Sequence, residues 1–135
     1  MLSSIQFGNV PGVNPDQRPL IYLVSSTEAA YAADLKCVFT DGNAAVAVTS
    51  FFNDPGELAD VVDWPLMRAR YWFNTADDPD RRRRRMAEFL VRRALPLELV
   101  TEFAVYDQNM ATQVAGMLAA AGLSHSVSVR RDWYF

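Results

Sequence analysis

Glu88 is the residue whose type and setting most call for a chemical explanation. It lies in Met86-Ala87-Glu88-Phe89-Leu90-Val91, part of a stretch that reads as a strand over residues 86–93. Side chains alternate across a strand, so Met86, Glu88 and Leu90 share one face and Ala87, Phe89 and Val91 the other. Both faces are largely apolar, as in a covered central strand. A carboxylate in such a place is costly unless it is paired or used. Pattern alone leaves two readings open: a fixed carboxylate that does acid–base or charge-stabilising work, or the acidic half of an ion pair with a neighbouring arginine.

Five arginines run together at Arg81–Arg85, Arg92 and Arg93 follow, and Lys36 is the only lysine. The net charge of −3 argues against a general nucleic-acid binder. A basic strip on an acidic protein can still grip phosphate. The alternative is a solvated segment that balances Asp77, Asp78 and Asp80 just before it. Tyr71, Trp72 and Phe73 either pack in the core or stack on bases, whose π-faces accept aromatic rings. His125, the single histidine, reads as exposed and structural, and Cys37, the single cysteine, as a core residue of an apolar strand. One histidine and one cysteine cannot build a Cys/His metal centre, so no metal is expected. No glycine-rich loop follows a strand, which excludes a P-loop and a dinucleotide-binding fingerprint.

These side chains need elements to position them. The 135 residues amount to about one domain, and with 50% of them hydrophobic the chain can build a core. Strands are expected at Leu2–Phe7, Leu20–Val24, Cys37–Thr40, 86–93, Thr101–Tyr106 and Ser126–Arg131. A capping box at Ser25 and Glu28 predicts a helix over Ala29–Leu35. A tight turn at Asp41-Gly42-Asn43 leads into a predicted helix over Ala44–Phe52. Asp63 should cap a helix that carries Pro65 in its first turn and runs to about Trp72. Asp107 should cap another, with Met110, Val114, Met117, Leu118 and Ala121 at helical spacing and Gly122 at its end. The aromatic terminus Trp133-Tyr134-Phe135 should dock on the body. The result is an α+β fold. No apolar run approaches the ~20 residues needed to cross a bilayer. MLSSIQFGNV lacks the pattern of a secretory signal, so a cytoplasmic protein with no membrane contact is expected.

The residues also resemble a known family, the DarT toxins that ADP-ribosylate DNA. The resemblance rests on Arg18-Pro19-Leu20-Ile21-Tyr22-Leu23, Phe39-Thr40-Asp41-Gly42-Asn43-Ala44-Ala45 and Arg70-Tyr71-Trp72. It continues through Asn74-Thr75, Asp78-Pro79-Asp80-Arg81, the arginine run, Met86-Ala87-Glu88-Phe89-Leu90-Val91 and Pro96-Leu97-Glu98-Leu99-Val100. These occur in the family's order and at similar spacing over essentially the whole chain.

The resemblance implies the ADP-ribosyltransferase fold, in which split mixed or antiparallel β-sheets with short helices clamp NAD as co-substrate. It implies attachment of ADP-ribose to thymidine in single-stranded DNA, by the toxin of a toxin–antitoxin pair whose partner is a macrodomain antitoxin of the DarG kind. The family's catalytic glutamate lies in an A-E-[FI]-L-V motif, and Glu88 is the matching residue. The target-recognition loop of related transferases corresponds to roughly Phe73–Arg85. There Arg82, Arg83, Arg84 and Arg85 would contact DNA phosphates while Tyr71 or Trp72 stacks on a base. Asp41 and Asn43 would belong to the substrate pocket. Family members extend further at the N-terminus, through a histidine motif and an essential arginine that bind NAD. Residues 1–135 are therefore expected to form a single domain, the C-terminal portion of the fold with its N-terminal part missing. Apolar surface should then be left open to self-association. The alternative is a non-catalytic remnant that binds single-stranded DNA or the antitoxin.

Overall fold

The computed structural model describes Pro11 and residues 16–134. The predicted strand at Leu2–Phe7 and the terminal Phe135 lie outside the described residues. The described residues form two compact units, one from those up to Ser26 together with those from Pro96 onward, the other from Thr27–Leu95.

The first unit is a three-stranded sheet in the order β1 (Tyr22–Val24), β5 (Glu102–Val105), β6 (Ser126–Val129). β1 is antiparallel to β5, which is parallel to β6. Parallel neighbours need a crossover, supplied here by helix α5 (Gln108–Ala120). Asp107 starts it as expected, its side chain accepting the Met110 N–H at 2.9 Å. Ala111, Val114 and Leu118 repeat at helical spacing and pack with Val100, Phe103 and Val105 as the core. Gly122, at φ +71°, ends the helix in a left-handed conformation that suits glycine. Trp133 and Tyr134 dock: Tyr22 donates to the Trp133 carbonyl at 2.8 Å and Tyr134 to that of Leu20 at 2.8 Å. His125 is half-buried rather than exposed, because its Nε2 reaches the Leu97 carbonyl at 3.1 Å and its ring packs edge-on against Phe103.

The second unit holds α1 (Thr27–Ala32) and an antiparallel sheet in the order β3 (Phe51–Phe52), β2 (Cys37–Thr40), β4 (Phe89–Val91). Short helices α2 (Leu58–Val61), α3 (Trp64–Met67) and α4 (Arg81–Arg84) complete it. Phe39 is fully buried on β2, stacked on Phe52, while Tyr31 of α1 packs edge-on against Phe89.

Several predicted elements take another form here. The first helix starts at Thr27, and the Ser25 hydroxyl donates to the Leu99 carbonyl at 2.6 Å. Residues 44–50 form successive turns instead of a helix. The Asn43 side chain accepts the Ala45 N–H at 2.9 Å, and the Thr49 hydroxyl closes onto the Asn43 carbonyl at 2.7 Å. Pairing of Phe51 and Phe52 with Thr40 and Phe39 then demands extended chain where a helix was expected. The Asp63-capped helix, with Pro65 in its first turn, stops at Met67. Beyond it the Arg81 guanidinium holds the Tyr71 carbonyl at 3.0 Å. Regular pairing in the predicted strand 86–93 covers only Phe89–Val91, because the arginine run winds into α4. Met86 and Ala87 still turn there, donating to the carbonyls of Arg83 and Arg84. No helix among the described residues is long and apolar enough to cross a membrane.

Candidate active site

Glu88 lies at the entrance to β4, one residue before the regular pairing begins, and it is exposed rather than covered. Its main chain is fixed against Thr40, the fully buried last residue of β2. The Thr40 N–H donates to the Glu88 carbonyl at 3.0 Å. In return the Glu88 N–H donates to the Thr40 hydroxyl at 2.9 Å, and that hydroxyl donates to the Gly42 carbonyl at 2.6 Å. One side-chain hydroxyl thus joins the strand end, the glutamate and the following turn.

The carboxylate is fixed separately. Glu88 Oε2 accepts the Ala44 N–H at 2.9 Å. Oε1 has no hydrogen-bond partner among the described residues. No arginine pairs with Glu88 there, so the ion-pair reading finds no partner among the described residues. An exposed carboxylate with one oxygen held and the other open can accept a hydrogen bond or take a proton from a bound molecule.

Asp41, Asn43 and Ala44 all belong to the turn that faces Glu88. Asp41 accepts the Ser50 N–H at 3.0 Å and the Arg83 Nη1 donor at 2.9 Å. Burial opposes its charge, but the Arg83 guanidinium and the Ser50 N–H outweigh that and hold its carboxyl below the ordinary range. The Asn43 N–H donates to the Arg83 carbonyl at 3.1 Å, and its Nδ2 contacts Met86 Sδ at 3.7 Å. Its side chain is therefore part of the turn's scaffold, and Ala44 is the residue that reaches the carboxylate.

The five arginines divide, and Arg81 adds a 3.8 Å approach to Asp78 to its bond with the Tyr71 carbonyl. Arg83 is clamped between two carboxylates, with 14% of its side chain exposed. It meets Asp80 at 2.8 Å through both Nε and Nη2, and Asp41 at 2.9 Å. Donating these bonds to Asp80 and Asp41 stabilises its charge further. Arg84 holds Asp78 through two 2.9 Å bonds and Asp63 at 3.3 Å. Arg85 reaches only Met67 Sδ, at 4.0 Å, and its Nε is buried without a partner among the described residues. Arg82 is exposed. Its backbone N–H donates to Asn74 Oδ1 at 2.7 Å, while its guanidinium has no ion pair among the described residues. The balance of Asp78 and Asp80 against arginine is thus direct pairing, and it shapes the loop.

The aromatic segment next to α4 is presented outward. Tyr71 is 71% exposed and Phe73 63% exposed, while Trp72 is half-buried and stacks on Phe73 with ring centroids 4.8 Å apart. The sequence leaves Phe73, with Tyr71 and Trp72, between core packing and stacking, and here its ring is exposed. The sequence reading missed Thr40 and the Ala44 N–H as the groups that fix Glu88. The only signal for these was their place in Phe39-Thr40-Asp41-Gly42-Asn43-Ala44. Among the described residues no group of three or more His, Cys, Asp or Glu side chains could hold a metal ion.

A family model described as "ssDNA thymidine ADP-ribosyltransferase, DarT" matches residues 1–135. A DNA ADP-ribosyl transferase of Thermus sp. strain 2.9 is 39% identical over 121 residues, which is 88% of this chain and 56% of that relative. Two solved structures are similar at 36% identity over 99% of this chain. One is Thermus sp. 2.9 DarT in complex with NAD+, with a TM-score of 0.87 over 66% of that chain. The other is the same protein in complex with ADP-ribosylated ssDNA, with a TM-score of 0.89 over 63%. The α+β arrangement described above is therefore that of an ADP-ribosyltransferase fold. The chain spans between 51% and 62% of the length of the curated relatives it matches.

Proposed function

This chain belongs to the DarT family of single-stranded-DNA thymidine ADP-ribosyltransferases, and from that premise we propose that it carries the glutamate-bearing part of an enzyme moving ADP-ribose from NAD to thymidine. The observation that carries the proposal is the state of Glu88: an exposed carboxylate with one oxygen fixed by the Ala44 N–H and the other open. NAD brings a bond between nicotinamide and ribose whose cleavage builds positive charge on the sugar. The open oxygen of Glu88 suits a ribose hydroxyl and stabilises that charge. The same carboxylate takes the proton from the thymidine ring nitrogen as that nitrogen bonds to the ribose carbon and nicotinamide departs with the bonding electrons. Similarity to a relative solved with NAD+ and with ADP-ribosylated ssDNA supports both substrates.

The DNA contacts proposed for the arginine run concentrate on Arg82. It is the member of the run that is exposed and without an ion pair among the described residues, so it can meet phosphate without losing a carboxylate partner. Tyr71 and Phe73 supply stacking faces, with Trp72 backing Phe73. Arg83 and Arg84 serve the loop's shape, and Asp41 and Asn43 build the turn that orients Glu88. The cytoplasm is the proposed place of action, and a macrodomain antitoxin of the DarG kind the proposed partner. Exposed Val48 and Phe51 support some self-association.

The test uses purified chain, NAD labelled in its ADP-ribose part, and short oligonucleotides. A thymidine-containing single strand should be labelled, and the same strand with cytidine in place of every thymidine should not. Equal labelling of both strands, or of neither, contradicts the proposal.

A further inference from the structure

We propose that Arg83 is a positioning residue for Glu88, acting through the Asp41–Asn43 turn to hold the Ala44 N–H where it orients the carboxylate. The inference rests on the reading of Glu88 as the catalytic carboxylate. A glutamate has three side-chain torsions, and an exposed one moves among several rotamers unless something selects one. Here the selecting contact is the Ala44 N–H on Oε2 at 2.9 Å. Thr40 fixes only the main chain of Glu88.

Ala44 is in turn placed by the three residues before it, and Arg83 holds each of them differently. Its guanidinium meets Asp41 at 2.9 Å through Nη1 and 3.4 Å through Nη2. Its side chain lies directly on Gly42, where an added Cβ would come 2.9 Å from Arg83 Cγ. Its carbonyl accepts the Asn43 N–H at 3.1 Å. Nη1 also reaches the Thr49 hydroxyl at 3.3 Å, and that hydroxyl donates to the Asn43 carbonyl at 2.7 Å. On its other edge Arg83 is anchored to Asp80. A planar fork with donors on two edges can bridge two carboxylates in this way, and a lysine ammonium cannot. Arg84 is the natural control. It is similarly paired, but its partners Asp78 and Asp63 lie outside the turn.

A fixed carboxylate matters most in the transition state, so loosening it should lower kcat more than it raises KM for NAD. The deciding readout, however, requires no catalysis: amide exchange at Ala44, referred to the Arg92 amide that bonds to the Lys36 carbonyl just beyond the other end of the β2–β4 pair. In the full chain, Arg83→Gln should speed Ala44 exchange roughly tenfold relative to Arg92, as loss of one held hydrogen bond allows. Arg84→Gln should leave that ratio unchanged. Glu88→Ala should also free the Ala44 amide, and adding Arg83→Gln to it should change the ratio no further. Asp80→Asn removes one anchor and leaves the turn contacts, so it should give a smaller effect in the same direction even if Arg83→Gln fails to fold. With labelled NAD and thymidine strands, Arg83→Gln should lower kcat roughly tenfold with KM within about twofold. Equal acceleration at Ala44 and Arg92, or the same ratio change in Arg84→Gln, would overturn the proposal. If the wild-type chain transfers no label, the catalytic reading of Glu88 falls, and the amide comparison still decides what Arg83 orients.

Discussion

Replacing Gly42 by alanine should loosen the candidate site without removing any group that touches a substrate. Gly42 is buried, and its backbone lies outside the left-handed region, so alanine meets no conformational barrier there. The obstacle is Arg83. A methyl at residue 42 would lie 2.9 Å from its Cγ and 3.0 Å from its Cζ, closer than carbon atoms pack. Crowding of this kind costs about 1–3 kcal/mol. Displacing the guanidinium also weakens its bonds to Asp41 and Thr49, which adds about 1 kcal/mol for a partly screened pair. Alanine recovers about 0.4–1 kcal/mol by restricting the unfolded chain. The net expectation is a loss of about 2 kcal/mol, read as a lower midpoint in urea. The decisive form is a double-mutant cycle with Arg83→Ala. Once the long side chain is gone, the added methyl has room, so Gly42→Ala should cost almost nothing in that background. Additive effects in the cycle, or a neutral Gly42→Ala in the parent, would refute the close contact on which this reasoning depends.

Arg82→Gln should weaken single-stranded DNA binding and reduce its salt slope by about 1, with unfolding almost unchanged. Arg84→Gln should do the reverse, lowering the urea midpoint through loss of Asp78 and Asp63 while leaving the salt slope intact. Tyr71→Ala and Phe73→Ala should each lower affinity for single strands with little effect on the midpoint, and a strong fall in stability would place those rings in packing instead. The acid limb should follow from Asp41, Asp78 and Asp80, whose carboxyls arginine pairing holds below the ordinary range. Each binds protons more weakly folded than unfolded, so their stabilising effect is complete above about pH 4 and disappears as pH falls through the folded values. Urea midpoints that rise on acidification below pH 4 would contradict that sign.

Local signals in the chain were read correctly where the partner is also local. Asp63 and Asp107 cap helices three residues away, and Pro65 and Gly122 mark a start and a stop. The same local reading failed where a distant partner decides. Ala44–Phe52 looks helical until Phe51 and Phe52 are claimed by Thr40 and Phe39. In the arginine run the balance against nearby Asp78 and Asp80 is legible, but the further partners Asp41 and Asp63 come from other elements and are not. Burial of Glu88 was inferred from apolar neighbours on a long strand. Regular pairing starts one residue later, which leaves the carboxylate exposed at the strand's mouth. The choice of Glu88 itself came from the resemblance, and what geometry adds is how Thr40 and Ala44 hold it.

The central claim is that the open carboxylate oxygen of Glu88 does the chemistry. Glu88→Gln keeps an oxygen that can accept the Ala44 N–H and removes the charge and the basicity. Transfer of label from NAD to a thymidine-containing single strand should fall by a factor on the order of 100 or more, within the range that general-base catalysis supplies. The urea midpoint and the affinity for the strand should stay at their parent values. Retention of transfer in folded, DNA-binding Glu88→Gln would contradict the account.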